Sequence, residues 1–326
     1  MTSERLYYHR QWFHQRLHKW VIYPLFSRLY RDTDPDAGKS MLVAGTGRSG
    51  TTWVAQIISS QLPSRVMFEP FYSTLVAEYA GFNYFQYMRP EQANEALHTY
   101  CQRVFSGTIR HAWIDRMVNT INPQYRVVKE IRANLFLKWI RHQFAAMPLL
   151  FVIRHPCAVV RSRMQLGWAT DGDIQPFLSQ PDLIDDYLSD KMDIIEKATT
   201  PEQKHAIVWC ISNLIPIRQF ASGELPVIFY EHLCLQPQIE IPRIFEAIGQ
   251  AYDTSVFKSL NRPASTATRD SAIMSGRDKV NLWRSQLSPG QQDDILSIVH
   301  AFGLDHIYGD SPLPVANAQD IFRAAQ

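Results

Sequence analysis

Short unbroken apolar runs alternate with segments of helical period along most of the chain. Met41-Leu42-Val43-Ala44 is such a run, Val66–Phe68, Pro148–Ile153 and Pro226–Tyr230 follow it, and Tyr125–Ile131 reads as a further strand. Apolar runs without polar alternation predict strands covered on both faces, as in a parallel sheet. Thr51–Leu62 sets Trp53, Val54, Ile57 and Ile58 on one helical face and is stopped by Pro63. Leu135–Phe144, Ala158–Met164, residues 182–220, Ile241–Ile248 and Gln291–Phe302 predict further helices, and the aromatic-rich stretch 71–120 reads as mostly helical. The polar stretch 262–280 reads as a long loop. This alternation predicts an α/β fold in three layers, a central, mainly parallel, doubly wound sheet flanked by helices. No repeat or low-complexity linker divides the chain, so residues 32–326 are expected to form one domain behind a helical lead over residues 1–31.

In that lead, residues 4–31, Trp12, Phe13, Trp20, Val21, Ile22, Leu25, Phe26 and Leu29 interleave with Arg10, Arg16, Lys19, Arg28 and Arg31. The first reading is an amphipathic helix packed on the domain body; the second is peripheral contact with a membrane or a partner. Its apolar run Trp20–Phe26 contains Pro24 and is far short of the roughly 20 residues a membrane span needs. The net charge of +2 is too mild for nucleic acid as a bulk partner. A bound anion must therefore be held by local placement of cations and amides. The four cysteines show no Cys-x-x-Cys spacing, which argues against a disulfide framework or a zinc site and for a reducing, cytoplasmic setting. His14 and His18 stand four apart without a third ligand, so no metal is expected.

The densest chemical signal is Gly45-Thr46-Gly47-Arg48-Ser49-Gly50-Thr51-Thr52-Trp53, set between a predicted strand and a predicted helix. Glycines allow a tight turn and close approach of backbone to a ligand. The following amides point from a helix N-terminus, which favours an anion. Ser49, Thr51 and Thr52 add hydroxyls. A P-loop of the nucleoside triphosphatase type needs Gly-Lys-[Ser/Thr] at its end. Here Thr51 follows Gly50, and the cation stands upstream at Arg48. A small-molecule kinase using ATP and magnesium is thereby disfavoured, and a loop holding one 5′-phosphate with a cation at the bridging oxygen is favoured.

A second signal is Phe151-Val152-Ile153-Arg154-His155-Pro156, in which Arg154 ends an apolar strand and Pro156 opens a helix. Ser162 lies eight residues beyond Arg154. A guanidinium at a strand end and a hydroxyl on the next helix can converge on one phosphate.

Together these stretches resemble the sulfotransferases that use 3′-phosphoadenosine 5′-phosphosulfate (PAPS). The Arg48-Ser49-Gly50-Thr51-Thr52-Trp53 run is similar to the family's 5′-phosphosulfate loop in its arginine form, seen in carbohydrate and tyrosylprotein members. The Arg154…Ser162 pair is similar to its 3′-phosphate site. The resemblance implies a P-loop-type fold, PAPS as co-substrate, no metal, and a sugar, lipid or small-molecule acceptor bearing a hydroxyl or amine. It also implies donor-binding roles for residues 45–53, Arg154 and Ser162, with Tyr230 and Trp53 at the adenine. Gly276-Arg277-Asp278-Lys279 resembles the family's late basic loop, which makes Arg277 and Lys279 further candidates at the 3′-phosphate.

The chemistry needs a cation for the leaving phosphate, for which Arg48 is the candidate, and a general base for the acceptor. The Lys-x-His run of cytosolic members is here Lys129-Glu130-Ile131, so the lysine is kept and the histidine is absent. Glu69, in Phe68-Glu69-Pro70, resembles the Phe-Glu-Pro element of carbohydrate members and is favoured as base over Glu130. Tyr72, Tyr79, Phe82, Tyr84, Phe85 and Tyr87 either fill the core, the favoured reading, or wall an acceptor pocket. A non-catalytic nucleotide-binding scaffold would be expected to have lost Arg48, Arg154 or Ser162, and all three are present.

Overall fold

The computed structural model describes residues 25, 28–168, 171–260, 265–266 and 278–325. Arg277, nearly all of the basic lead and most of the 262–280 stretch lie outside the described residues. Among the described residues five strands form one sheet: β1 (Ser40–Gly45), β2 (Ser64–Phe68), β3 (Tyr125–Glu130), β4 (Leu149–Ile153) and β5 (Val227–Phe229). Their spatial order is β2-β3-β1-β4-β5, and every pair is parallel. The helices used below are α1 (Thr51–Ser59), α2 (Glu95–Phe105), α3 (Leu137–Gln143), α4 (Pro156–Gln165), α5 (Asp171–Leu178), α6 (Pro201–Gln219), α7 (Pro237–Ala247) and α8 (Pro289–Ala301).

The unbroken apolar runs are strands with two buried faces. In β1, Leu42 and Ala44 join the larger core with α2, α4, α6 and α8, while Met41 and Val43 join a second core with α1 and α7. The same alternation holds in β4, where Leu149, Phe151 and Ile153 face the first core and Leu150 and Val152 the second. Period-two side-chain alternation on a sheet with helices on both faces produces the three layers.

Two expected helical stretches are broken. Of residues 71–120, only Glu95–Phe105 is α-helical, with one 3-10 turn at Ala77–Tyr79. Pro70, Gly81 and Pro90 interrupt the period, and the aromatics pack without helical order: the Phe71 ring makes edge contacts with Tyr79, Tyr100, Phe105 and Phe136. The 182–220 stretch breaks before Pro201. There Thr200 caps α6 in a reciprocal capping box with Gln203.

Parallel register decides which loops meet. Gly45 is level with Val152, so the loop leaving β1 and the Arg154 motif leaving β4 emerge side by side. Phe68 is level with Lys129, so Glu69 emerges beside the end of β3. A Cβ on Gly45 would lie 2.3 Å from the Val152 carbonyl oxygen, which is why the strand ends in glycine.

At the opposite edge, Arg65 and Arg126 open β2 and β3 and share one carboxylate. Asp32 accepts from Arg65 at 3.2 Å and from Arg126 at 2.8 Å, with all three side chains buried. Asp115 takes the other side of Arg65 at 2.8 Å. Removing one member of such a buried cluster strands charge in the interior. Asp32→Ala is therefore expected to lower the free energy of unfolding by about 3–5 kcal/mol in urea titration; a loss under 1 kcal/mol would show the cluster to be solvent-screened.

Candidate active site

The loop after β1 is built by conformation as much as by composition. Gly50 has φ of 100°, and a Cβ there would lie 2.6 Å from the Tyr230 ring. Arg48 adopts φ of 81° without being glycine. The Ser49 amide closes a turn on the Thr46 carbonyl at 3.0 Å. Thr46 does not offer its hydroxyl outward: Oγ1 accepts from Asn213 Nδ2 of α6 at 3.1 Å. Among the described residues the amides of Gly50, Thr51 and Thr52 take no backbone acceptor at the start of α1. The buried Ser49 hydroxyl and Trp53 indole N–H are likewise without partners. Buried donors left open at a helix N-terminus are the ingredients of an anion site.

The second motif closes on the first. Arg48 Nε donates to Ser162 Oγ at 3.0 Å, and Arg154 Nη1 donates to the Arg48 carbonyl at 3.2 Å. Arg154 lies over the Tyr230 ring at 4.1 Å, and among the described residues its buried Nε has no partner. Tyr230 and Trp53 form a tilted pair with centroids 5.6 Å apart, and Lys279 sits 5.6 Å over Trp53. Sequence-predicted Arg48, Ser49, Trp53, Arg154, Ser162, Tyr230 and Lys279 thus share one cluster. Burial and the neighbouring Arg154 cation lower the Arg48 pKa to about 10, so it stays charged at neutral pH. Burying cations without carboxylates is costly and favours an incoming anion.

The residues that hold this cluster were not legible as site residues. Trp209 Nε1 of α6 donates to the Arg154 carbonyl at 3.0 Å. The buried Glu231 accepts the His155 amide at 3.0 Å and the Tyr308 hydroxyl at 2.7 Å. His155 Nδ1 accepts the Cys157 amide, capping α4, and Nε2–H points to the Gly309 carbonyl at 3.1 Å. Its ring stacks on Trp283 at 4.4 Å. Both ring nitrogens are spent in the neutral form.

Beside this cluster, at the ends of β2 and β3, sits a carboxylate centre. Glu69 has φ of 48° and receives Lys129 Nζ on Oε1 and Arg132 Nη1 on Oε2, the latter at 2.7 Å. Burial raises its pKa, but the charges and hydrogen bonds of Lys129 and Arg132 outweigh that and hold it below its ordinary value. Arg132 also donates to the Tyr84 hydroxyl at 2.9 Å and lies over the Tyr72 ring at 3.6 Å. Glu130 is placed differently. Its carboxylate is fully buried and accepts the amides of Phe71, Ile131 and Arg132 at 2.9, 2.7 and 3.0 Å. Tyr79, Phe85 and Tyr87 lie in the core, whereas Tyr72 and Tyr84 stay half-buried at this centre.

Among the described residues no group of three His, Cys, Asp or Glu is placed to hold a metal ion, and no helix is long and apolar enough to cross a membrane. A parallel α/β sheet with a glycine loop and clustered cations at its carboxyl edge is an architecture suited to holding an anion. The sequence pattern of the sulfotransferase family matches residues 41–254, and the chain belongs to that family, whose reaction is sulfuryl transfer. The sulfotransferase domain from the Synechococcus PCC 7002 olefin synthase is similar in structure, with a TM-score of 0.44 and 14% identity over 84% of this chain and 98% of that one. A search of curated proteins gives no match.

His155 ties pH to stability. Burial, against its bonds to backbone carbonyls, pushes its pKa down from 6.5 to about 4. In the unfolded chain it takes up a proton near pH 6.5, so its contribution is complete above that pH and fades as pH falls toward 4. About 3 kcal/mol of stability should disappear across that window. Denaturant titrations at pH 4 and 6.5 should show a smaller pH difference for His155→Gln than for the wild type; equal differences would mean the imidazole is solvated.

Proposed function

We propose that this chain transfers a sulfuryl group from PAPS to an acceptor hydroxyl or amine. The observation carrying this reading is the contact between Arg48 and Ser162, with Arg154 bonded to the Arg48 carbonyl. It joins the two anion-binding motifs, so one nucleotide with phosphates at both ends of its ribose can engage both. The open donors Ser49 Oγ and Arg154 Nε fit those phosphates. The Trp53–Tyr230 pair fits an adenine, and Lys279, with Arg277 from the same basic stretch, fits the 3′-phosphate.

The acceptor oxygen forms a bond to sulfur while the bond from sulfur to the 5′-phosphate oxygen breaks. The electron pair leaves on that oxygen, giving adenosine 3′,5′-bisphosphate, and Arg48 stabilises the charge. Arginine keeps its proton, so its part is electrostatic. The acceptor proton passes to Glu69. Being held ionised by Lys129 and Arg132 makes Glu69 available but weakly basic. A loose transition state suits such a base, because the acceptor proton becomes acidic only as its bond to sulfur forms. Lys129 turns from Glu69 toward the sulfuryl oxygens as the donor enters. Glu130 is the less suitable base, since three amides occupy it; its role is to fix the turn after β3. Four free cysteines, three of them buried, support a reducing, cytoplasmic setting.

Adenosine 3′,5′-bisphosphate should raise the melting temperature more than ATP or AMP at equal concentration, since ligand linkage scales with affinity. An equal response to all three would remove the reading. Glu69→Gln should keep its bisphosphate affinity while turnover from labelled PAPS drops about 100-fold or more; a near-normal rate would take the base role from Glu69. Arg48→Ala should cost about 100- to 1,000-fold in turnover, the usual loss for one charge-stabilising donor, and an unchanged rate would place the leaving oxygen elsewhere.

A further inference from the structure

The carboxylate half of the sheet edge holds one cation that the reaction described above does not use. Arg116 lies over the Trp113 ring at 4.6 Å and over the Phe68 ring at 5.1 Å. It is half-buried, and among the described residues it has neither a hydrogen bond nor a carboxylate partner. Arg132, in the same half, is paired with Glu69, and at the opposite edge Arg65 pairs with Asp115 and Asp32 and Arg126 with Asp32. Burial lowers the Arg116 pKa, against the pull of Glu69. A cation that has given up water without gaining a counter-charge stabilises an incoming anion.

Its position ties that anion to the acceptor. The Phe68 ring that carries Arg116 also carries the Lys129 ammonium, at 4.6 Å. Trp113 Nε1 donates to the Glu69 carbonyl at 3.2 Å, and Tyr72 meets the Trp113 ring edge-on at 5.4 Å. Arg116 is thus about one aromatic ring away from the proposed base. The charges nearby do not balance. Three cations, Lys129, Arg132 and Arg116, stand against two carboxylates: Glu69, which pairs with Lys129 and Arg132, and Glu130, which accepts three backbone amides and lies 4.0 Å from Arg132. A neutral acceptor would cover Arg116 and leave it unpaired, whereas an oxyanion would pair with its planar fork.

We infer that Arg116 anchors the acceptor, and that the acceptor is a hydroxyl or amine compound carrying a carboxylate, phosphate or sulfate, with Trp113 and Tyr72 flanking its body. This rests on the sulfuryl-transfer reading, which places the acceptor at Glu69. Arg116 is a binding and specificity residue, so its loss should appear in acceptor affinity and leave donor affinity alone.

The test is isothermal titration of the full chain saturated with adenosine 3′,5′-bisphosphate. The probes are two matched pairs: 4-hydroxyphenylacetate against 4-hydroxyphenylacetamide, and a glucuronate-terminated disaccharide against its glucose-terminated counterpart. At least one anionic member should bind about ten-fold or more tightly than its neutral partner, the worth of one charge-assisted bond. Arg116→Ala should erase that preference, Arg116→Lys should keep part of it, and the bisphosphate Kd should be the same in all three proteins. If the bisphosphate binds and neither anionic compound exceeds its neutral partner, the inference is overturned while the donor reading stands. A preference that survives intact in Arg116→Ala overturns it too. If the bisphosphate does not bind, the donor reading falls and the acceptor inference with it. The wild-type comparison needs no variant, so a poorly folding Arg116→Ala does not blunt the test.

Discussion

The level carboxyl ends of four parallel strands are the constraint on which this site depends. Because Gly45 pairs with Val152, the glycine loop and the Arg154 motif leave the sheet together. Because Phe68 pairs with Lys129, the Glu69 turn leaves beside them. Side chains reverse faces every residue along a strand. A one-residue slip at either pair would therefore turn half of the site into the core. The two cores that grip alternate residues of β1 and β4 prevent that slip. The edge is thus divided between a cationic half over β1 and β4 and a carboxylate half over β3 and β2.

Keeping charge at this edge is costly, and the surrounding structure carries the cost. Arg48 and Glu69 both sit in left-handed backbone, where a residue other than glycine loses about 1–3 kcal/mol. On the Arg48 side the support comes from Asn213 on Thr46, Trp209 on the Arg154 carbonyl, and Tyr308 through Glu231 on the His155 amide, while Lys129 and Arg132 hold Glu69. A long buried helix, α6, supplies two of these contacts one turn apart, which explains polar atoms in an otherwise apolar element. Strain of this kind persists where the framework over-determines a loop, and such loops are commonly functional.

The sequence was most readable where local chemistry is self-contained. The described strands fall where the sequence places them, because strands covered on both faces are built around short apolar stretches, with buried charges in β2 and β3 only where partners meet them. The two motifs that meet at the carboxyl edge were legible from glycines, a strand end and a hydroxyl at fixed spacing. The stretch 71–120 was misread because aromatic content suggests an apolar helical face, while Pro70, Gly81 and Pro90 force irregular backbone whose order comes from ring packing. Arg132 stands three residues after Lys129, yet nothing local marks it as the partner of Glu69. A carboxylate from another strand gives it that role.

Taken by itself, the sequence determined the α/β class, the strand positions, the glycine loop and the strand-end arginine, since each follows from periodicity or from a residue's own backbone limits. Tertiary structure alone decided that Arg48 meets Ser162, that Glu69 is held by two cations while Glu130 is tied to three amides, and that Arg116 has no carboxylate partner among the described residues. Those outcomes depend on which residues stand level across neighbouring strands, and on burial, which makes a charge costly or useful according to partners far away in the chain.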